Sequence, residues 1–259
     1  MSAFSGLAYA QIRVQSRYGA RAEAGVWLKL HNIHDLGSYL QAAQQTPLHP
    51  WVLGLSSTHT SDDIELALRQ KYRHHVDEVA GWMPVDWRKP VLWIKRLTDL
   101  PVIQYLITGG EPHDWMKSDP DISPFTADDP LARLQMLQQT DNRVLVESWE
   151  QQGSLLSGWV SQWNRMRPKK SYSENGLSAL EKLARWQMQQ QLRFEHARPA
   201  DHEEILDRLR LIFRRYAFQP AAVCAYLAIV AIDLHRIRSD LMRRIYFQHE
   251  PDLALGLPE

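Results

Sequence analysis

Apolar positions recur at steps of three and four through most of this chain, and almost nowhere at steps of two. The longest such stretch is 220–248, PAAVCAYLAIVAIDLHRIRSDLMRRIYFQ. Pro220 suits the first turn of a helix, where a missing N–H costs nothing. Residues 221–232 are all apolar, and then Leu234, Ile237, Leu241 and Ile245 keep a stripe while Asp233, Arg236, Arg238 and Arg243 fall largely off it. The pattern predicts a helix buried all round at its start and amphipathic at its end. Its unbroken apolar run is shorter than the roughly 20 residues that span a bilayer, so a core helix is expected.

The remaining stretches predict further helices. Residues 8–24 carry Ile12 and Val14, with Arg13, Arg17 and Arg21 at four-residue steps on one face. Such a stripe reads as a solvated basic face. Asn32, three residues before Asp35, reads as a helix cap ahead of Leu36, Tyr39 and Leu40, and 46–50 (TPLHP) ends that helix. Ser61, Asp62 and Asp63 start the next, whose apolar positions are Ile64, Leu68, Tyr72, Val76 and Val79. Gly81 and Pro84 close it. A helix over 89–107 is expected to kink or split at Pro101.

Residues 109–130 break the pattern, with Gly109-Gly110, four prolines and acidic residues from Glu111 to Asp129. This is loop or linker chemistry and the best candidate for a domain boundary. Beyond it come a short helix capped by Asp129 and a longer one over 144–163, which an interior Gly153 and Gly158 would weaken. A polar break at 167–175, a helix restarting at Leu177 and running through Met188 and Leu192, and a capping-box pattern at Asp201 and Glu204 follow. Residues 250–259 read as a tail. No stretch alternates as a strand does, and the fold class is all-α. The divisions predicted are 1–108, 109–172 and 173–259.

Composition narrows the function. Lys and Arg balance Asp and Glu to a net charge of zero, which argues against a nucleic-acid partner. The one cysteine, Cys224, permits no disulfide framework, fits a reducing compartment and reads as a buried small hydrophobe. The N-terminus lacks the basic-then-apolar pattern of a secretory signal, so a soluble protein without direct membrane insertion is expected. Among the eleven histidines only His31/His34 and His74/His75 cluster, too few ligands for a zinc site. No phosphate-binding loop or nucleophile elbow occurs. No catalytic, cofactor-binding or metal-binding residue is therefore assigned. Asp233 and Arg236 read equally as an ordinary i, i+3 ion pair or as a buried polar contact. Of the ten tryptophans, Trp149, Trp159 and Trp163 fall at helical spacing, whereas Trp82 and Trp115 adjoin loops where exposure could anchor a partner.

Two helices carry the same frame, Asp99-Leu100-x-x-Ile103 and Asp233-Leu234-x-x-Ile237. At the N-terminus stand Ala8-Tyr9, Ile12-Arg13-Val14 and Arg17. Near the C-terminus stand Leu180-Glu181, Pro220, Ala225-Tyr226, Asp233, Arg236, Arg238 and Tyr246-Phe247. In these residues the chain resembles the C subunit of archaeal and bacterial A/V-type rotary ATPases, called subunit d in the eukaryotic V-ATPase.

The resemblance implies two pseudo-repeated helical bundles, reduced from the family's three, in a funnel-like subunit without catalytic residues or cofactors. Such a subunit joins the central stalk to the membrane proteolipid ring and transmits torque for ion transport. It would be cytoplasmic and peripheral to the membrane through the complex. Interface candidates by resemblance are Tyr9, Arg13, Arg17, Asp99, Tyr226, Asp233, Arg236 and Arg238. A generic all-helical adaptor and, ranked last, a histidine-dependent metalloenzyme are the other readings.

Overall fold

The computed structural model describes residues 3–168, 174–193 and 199–247. These residues form helices and no strand, as the periodicity predicts. In chain order the helices are α1 (Ala3–Gly19), α2 (Ala24–His31), α3 (Leu36–Gln44), α4 (His49–Val52), α5 (Ser61–Trp82), α6 (Val85–Leu92) and α7 (Lys95–Ile107). After these come α8 (Asp114–Ser118), a 3-10 turn (Ser123–Phe125), α9 (Pro130–Gln138), α10 (Arg143–Gln152) and α11 (Leu155–Met166). The last three are α12 (Glu174–Arg193), α13 (Pro199–Arg215) and α14 (Pro220–Phe247). Residues 169–173 of the expected polar break and the expected tail, 250–259, lie outside the described residues. So do the side chains of Met188, Leu192 and Asp201.

The centre of the fold is α14, which packs against α1, α3, α5, α12 and α13. Ala221 through Leu227 are all buried, as are Ile229 and Val230. By length and composition this helix could cross a bilayer, yet 67% of its most apolar window is buried inside the protein. Its neighbours already cover that surface, which is the behaviour of a core helix. Small residues at Ala221, Ala222 and Ala225 suit close packing against the neighbouring helices.

Several boundaries differ from expectation for physical reasons. Asn32 does not begin a helix. It closes α2 in αR geometry, and the carboxylate of Asp35 caps α3 by accepting from the Ser38 amide at 2.6 Å. Thr60, one residue before the expected start, caps α5 in a reciprocal capping box with Asp63. The expected 89–107 helix divides at Trp93 and Ile94, upstream of Pro101, which lies within α7. At the break the Ile94 amide turns to Val91 O (3.0 Å) instead of Pro90 O. The freed Pro90 carbonyl accepts the Trp163 indole N–H at 3.1 Å. Trp93 and Trp159 exchange indole-to-carbonyl bonds of 3.2 and 3.1 Å across the same junction. Trp159 and Trp163 thus supply donors to carbonyls at the helix break, and Trp93 returns a bond to α11.

The expected 144–163 helix is two helices. Gly153 adopts φ +64° at the end of α10, and Ser154 caps α11. Gly158 has a packing role: a Cβ there would lie 2.6 Å from Val144 O and 2.9 Å from Ser148 Cβ, so α10 and α11 approach this closely only over a glycine. Trp115, expected at an exposed loop, is buried, together with Met116, Ile122 and Phe125 of the Pro-rich stretch. Trp82 is half-buried.

Candidate functional site

On α5, the charged residues Glu65, Arg69 and Arg73 run one position behind the apolar stripe Ile64, Leu68, Tyr72 and Val76. They therefore face the same neighbours as the core and meet acids there. Asp99 on α7 is 0% exposed and accepts from Arg73 Nη2 (2.9 Å), Arg69 Nη1 (3.2 Å) and Arg96 Nη1 (3.3 Å). Asp119, also fully buried, accepts Arg73 Nη1 at 2.6 and 2.8 Å. At the other end Glu65 is held between Arg69 (2.7 Å) and Arg238 of α14. Asp121 adds a partner to Arg73 and Arg96 at 3.3 and 3.6 Å. Four arginines thus face four carboxylates in one continuous network.

A buried charge costs several kcal/mol unless it is paired, so these groups are stable only together. Burial alone would pull the Arg73 guanidinium down, but Asp99 and Asp119 outweigh it and raise the group above its ordinary value. Burial likewise pushes the Glu65 carboxyl up, and Arg69 and Arg238 reverse the sign and hold it below its usual range. Glu65 is therefore a poor proton acceptor.

The second cluster joins α1 and the turn after it to α5 and α14. Arg21 grips Asp233 through Nε (2.6 Å) and Nη2 (2.8 Å), a two-point fork. Arg17 pairs with Glu78 of α5 at 2.7 Å and lies 5.7 Å from the Trp82 ring. Arg13 lies over both Tyr9 (5.0 Å) and Trp82 (5.2 Å). Arg13 and Arg17 stay exposed, as a solvated face requires, and only Arg21, in the turn after α1, is drawn into a half-buried pair. The expected Asp233–Arg236 pair is corrected. Asp233 faces the turn after α1, where the planar fork of Arg21 offers two bonds, and Arg236 stacks 4.4 Å from the Trp27 ring of α2.

Of the other interface candidates, Tyr226 is buried and its hydroxyl is hydrogen-bonded to His75 Nε2 at 3.0 Å. Burial, with Arg17 and His74 nearby, lowers His75 to a pKa of about 4, so its ring is neutral at pH 7. Tyr9 is 49% exposed, and Arg13 and Arg238 also lie at the surface. The structure therefore brings Arg17 onto an α1–α5 contact, Asp99 onto an α5–α7 contact, and Tyr226, Asp233 and Arg238 onto contacts of α14 with the N-terminal part of the chain, and leaves Tyr9 and Arg13 on the outer face.

Further residues went unread in the sequence: Glu65, Arg69, Arg73 and Asp119 of the network, and, apart from it, Arg244. The four-residue steps of 65, 69 and 73 beside the apolar stripe were a signal for three of them. Arg244 is buried and donates to the main-chain carbonyls of Leu30 and Ile33, each at 2.8 Å, with its guanidinium 4.0 Å from the Tyr39 ring. It satisfies carbonyls at and after the end of α2.

Beside the Glu65 end of the network lies a cleft of about 630 Å³ between α5, α7, α8 and α14. Arg69, Tyr105, Trp115, Arg238 and Tyr246 are among its walls. Among the described residues no three His, Cys, Asp or Glu side chains converge as metal ligands. His31 lies against Arg243, and His74 is exposed. Burial pushes the Cys224 thiol up to about 12, so it is not a thiolate at neutral pH. Comparison with protein-family models, curated proteins and solved structures found no match to this chain.

Proposed function

We propose that this chain is a non-catalytic connector subunit of a V/A-type rotary ATPase, linking the central stalk to the proteolipid ring. One observation carries the reading. Two residues that bear the resemblance near the C-terminus are held by residues from the first part of the chain: Asp233 by Arg21, and Arg238 by Glu65 of the network around Asp99. A torque coupler needs a body that does not shear when its ends are loaded. Cross-linking the N-terminal part of the chain to the last helix through these partly exposed charge pairs adds to that resistance, each contributing about 1–2 kcal/mol. In this reading Tyr9 and Arg13, at the surface, are free to meet a partner, while Asp99 and Asp233 act inside the subunit. The pseudo-repeated funnel and the cytoplasmic, membrane-peripheral location belong to the same proposal.

A helical adaptor is the second reading, and the cleft bordered by Arg238 and Tyr246 favours it. Affinity purification of the tagged chain from gently solubilised membranes separates the two. Recovery of proteolipid-ring and central-stalk subunits supports the connector. Recovery of neither, with the ATPase intact in the same preparation, overturns it and leaves the adaptor.

A further inference from the structure

The cleft of about 630 Å³ beside Glu65 is walled by α5, α7, α8 and the C-terminal half of α14. Leu68, Val102, Met116, Leu234 and Met242 supply much of its apolar surface. Its charged residues balance, Asp62 and Glu65 against Arg69 and Arg238. Both guanidiniums already hold Glu65, so the cleft selects neither an anion nor a cation. Its remaining demand is apolar contact, which favours an occupant with apolar side chains along one side.

Such an occupant starts at its edge. Tyr246 lines the cleft and is 65% exposed. The described part of the chain ends one position later, at Phe247. Residues 248–259 read QHEPDLALGLPE. Glu250-Pro251 disfavours further helix, because proline holds the residue before it out of the helical region. Beyond it Leu253, Leu255 and Leu257 fall at steps of two, which in an extended chain puts all three on one side and Asp252 on the other. The lengths agree. From Tyr246 back to Ala231 the cleft follows α14 for about 22 Å at the helical rise. Residues 252–257, extended, cover about 20 Å.

We propose that this cleft is the docking site of the chain's own segment 252–257, which turns back at Pro251 and lays its three leucines along α14 between α5 and α7. Asp252 then faces water, away from Asp62. The short tether holds the segment at high effective concentration, so a modest apolar contact is enough to seat it. The contact does not rest on the connector reading, and a partner entering the cleft in the adaptor reading must displace the segment.

The test is disulfide trapping in the full chain under mild oxidation. Leu255→Cys is combined either with Pro101→Cys, on the cleft wall in α7, or with Ser239→Cys, exposed on α14 outside the lining. Position 239 is far nearer in sequence, so an undocked segment closes that loop more readily. Docking reverses the order, and the disulfide with Pro101→Cys should form at least about tenfold faster, the scale of 1.4 kcal/mol. Adding Leu253→Asp and Leu257→Asp should abolish the preference. Tyr105→Cys, on the same wall, replaces Pro101→Cys should that variant lose the native helical content. The native Cys224 is buried and takes no part. An equal or faster reaction at Ser239→Cys, or a preference that survives both aspartates, overturns the docking. Disulfides formed only between chains overturn the chain's own segment as the occupant.

Discussion

Asp99 and Asp233 stand in the same local frame, an aspartate followed by leucine and, four positions on, isoleucine. Their surroundings differ. Asp99 sits in the second turn of α7 with no exposure and three arginines around it. Asp233 lies midway along α14, slightly exposed, and meets one arginine, although with a two-point grip. Neither lies at the end of its helix. A short motif specifies which side chain leaves a helix and in what order, but it does not specify depth. Depth decides whether the aspartate is one partner in a pair or the hub that neutralises several buried cations.

The hub gives the largest expected effect. Asp99→Asn keeps the shape and removes the charge that Arg73 and Arg69 share, leaving buried cations undercompensated. Urea unfolding should show a loss of about 3–5 kcal/mol. A loss below about 1 kcal/mol would mean that Asp119 and Glu65 carry the network without it, and the contrast with Asp233 would fall.

Acid comes next, and it acts on a different buried contact. The folded-state pKa of His75 is depressed, to about 4, so the unfolded chain takes up the proton first. The stability that neutral His75 contributes is intact above its ordinary value near 6.5 and is lost as pH falls from there towards 4. The loss amounts to about 3 kcal/mol. Glu65, also held below its ordinary value, adds a loss as pH falls through its folded-state pKa. Unfolding midpoints measured across this range should slope steeply, and His75→Gln should flatten the upper part of the slope. An unchanged slope in that variant would remove His75 from the account.

Asp233→Asn should cost less, about 1–2 kcal/mol, because water reaches both partners of the pair with Arg21. The cost should also shrink at high salt, where exposed charges are screened, whereas that of Asp99→Asn should persist. Equal salt sensitivity in the two variants would erase the distinction of depth. Smallest is Arg17→Gln, which breaks a surface pair with Glu78 and should change stability by under about 1 kcal/mol.

Much of the fold was legible because burial leaves a period. The stripes of α5 and α14 announced both helices, and Leu137 and Asp129 announced α9. The breaks were less legible. Pro101 is the stronger breaker by composition, yet the chain divides at Trp93, where the indoles of Trp159 and Trp163, distant in sequence, donate to carbonyls at the break. Gly158 reads as a weak helix former, and only the nearness of Val144 and Ser148 explains it. The network itself was half legible. Asp99 and Asp233 were singled out, but their partners Arg73 and Arg21, and the Asp119 that Arg73 also holds, are identified by proximity in space, not along the chain. Arg73 to Asp119 spans 46 positions and Arg21 to Asp233 spans 212.

That last separation bears on how the molecule is made. A ribosome adding about 5–20 residues per second needs on the order of ten seconds or more between Arg21 and Asp233. Throughout that interval the apolar faces of α1 and α5 exist without the helix that covers them. Emerging chains would therefore present their stickiest surfaces for longer than local helix formation takes, and the completed protein depends on something to shield them until α14 arrives.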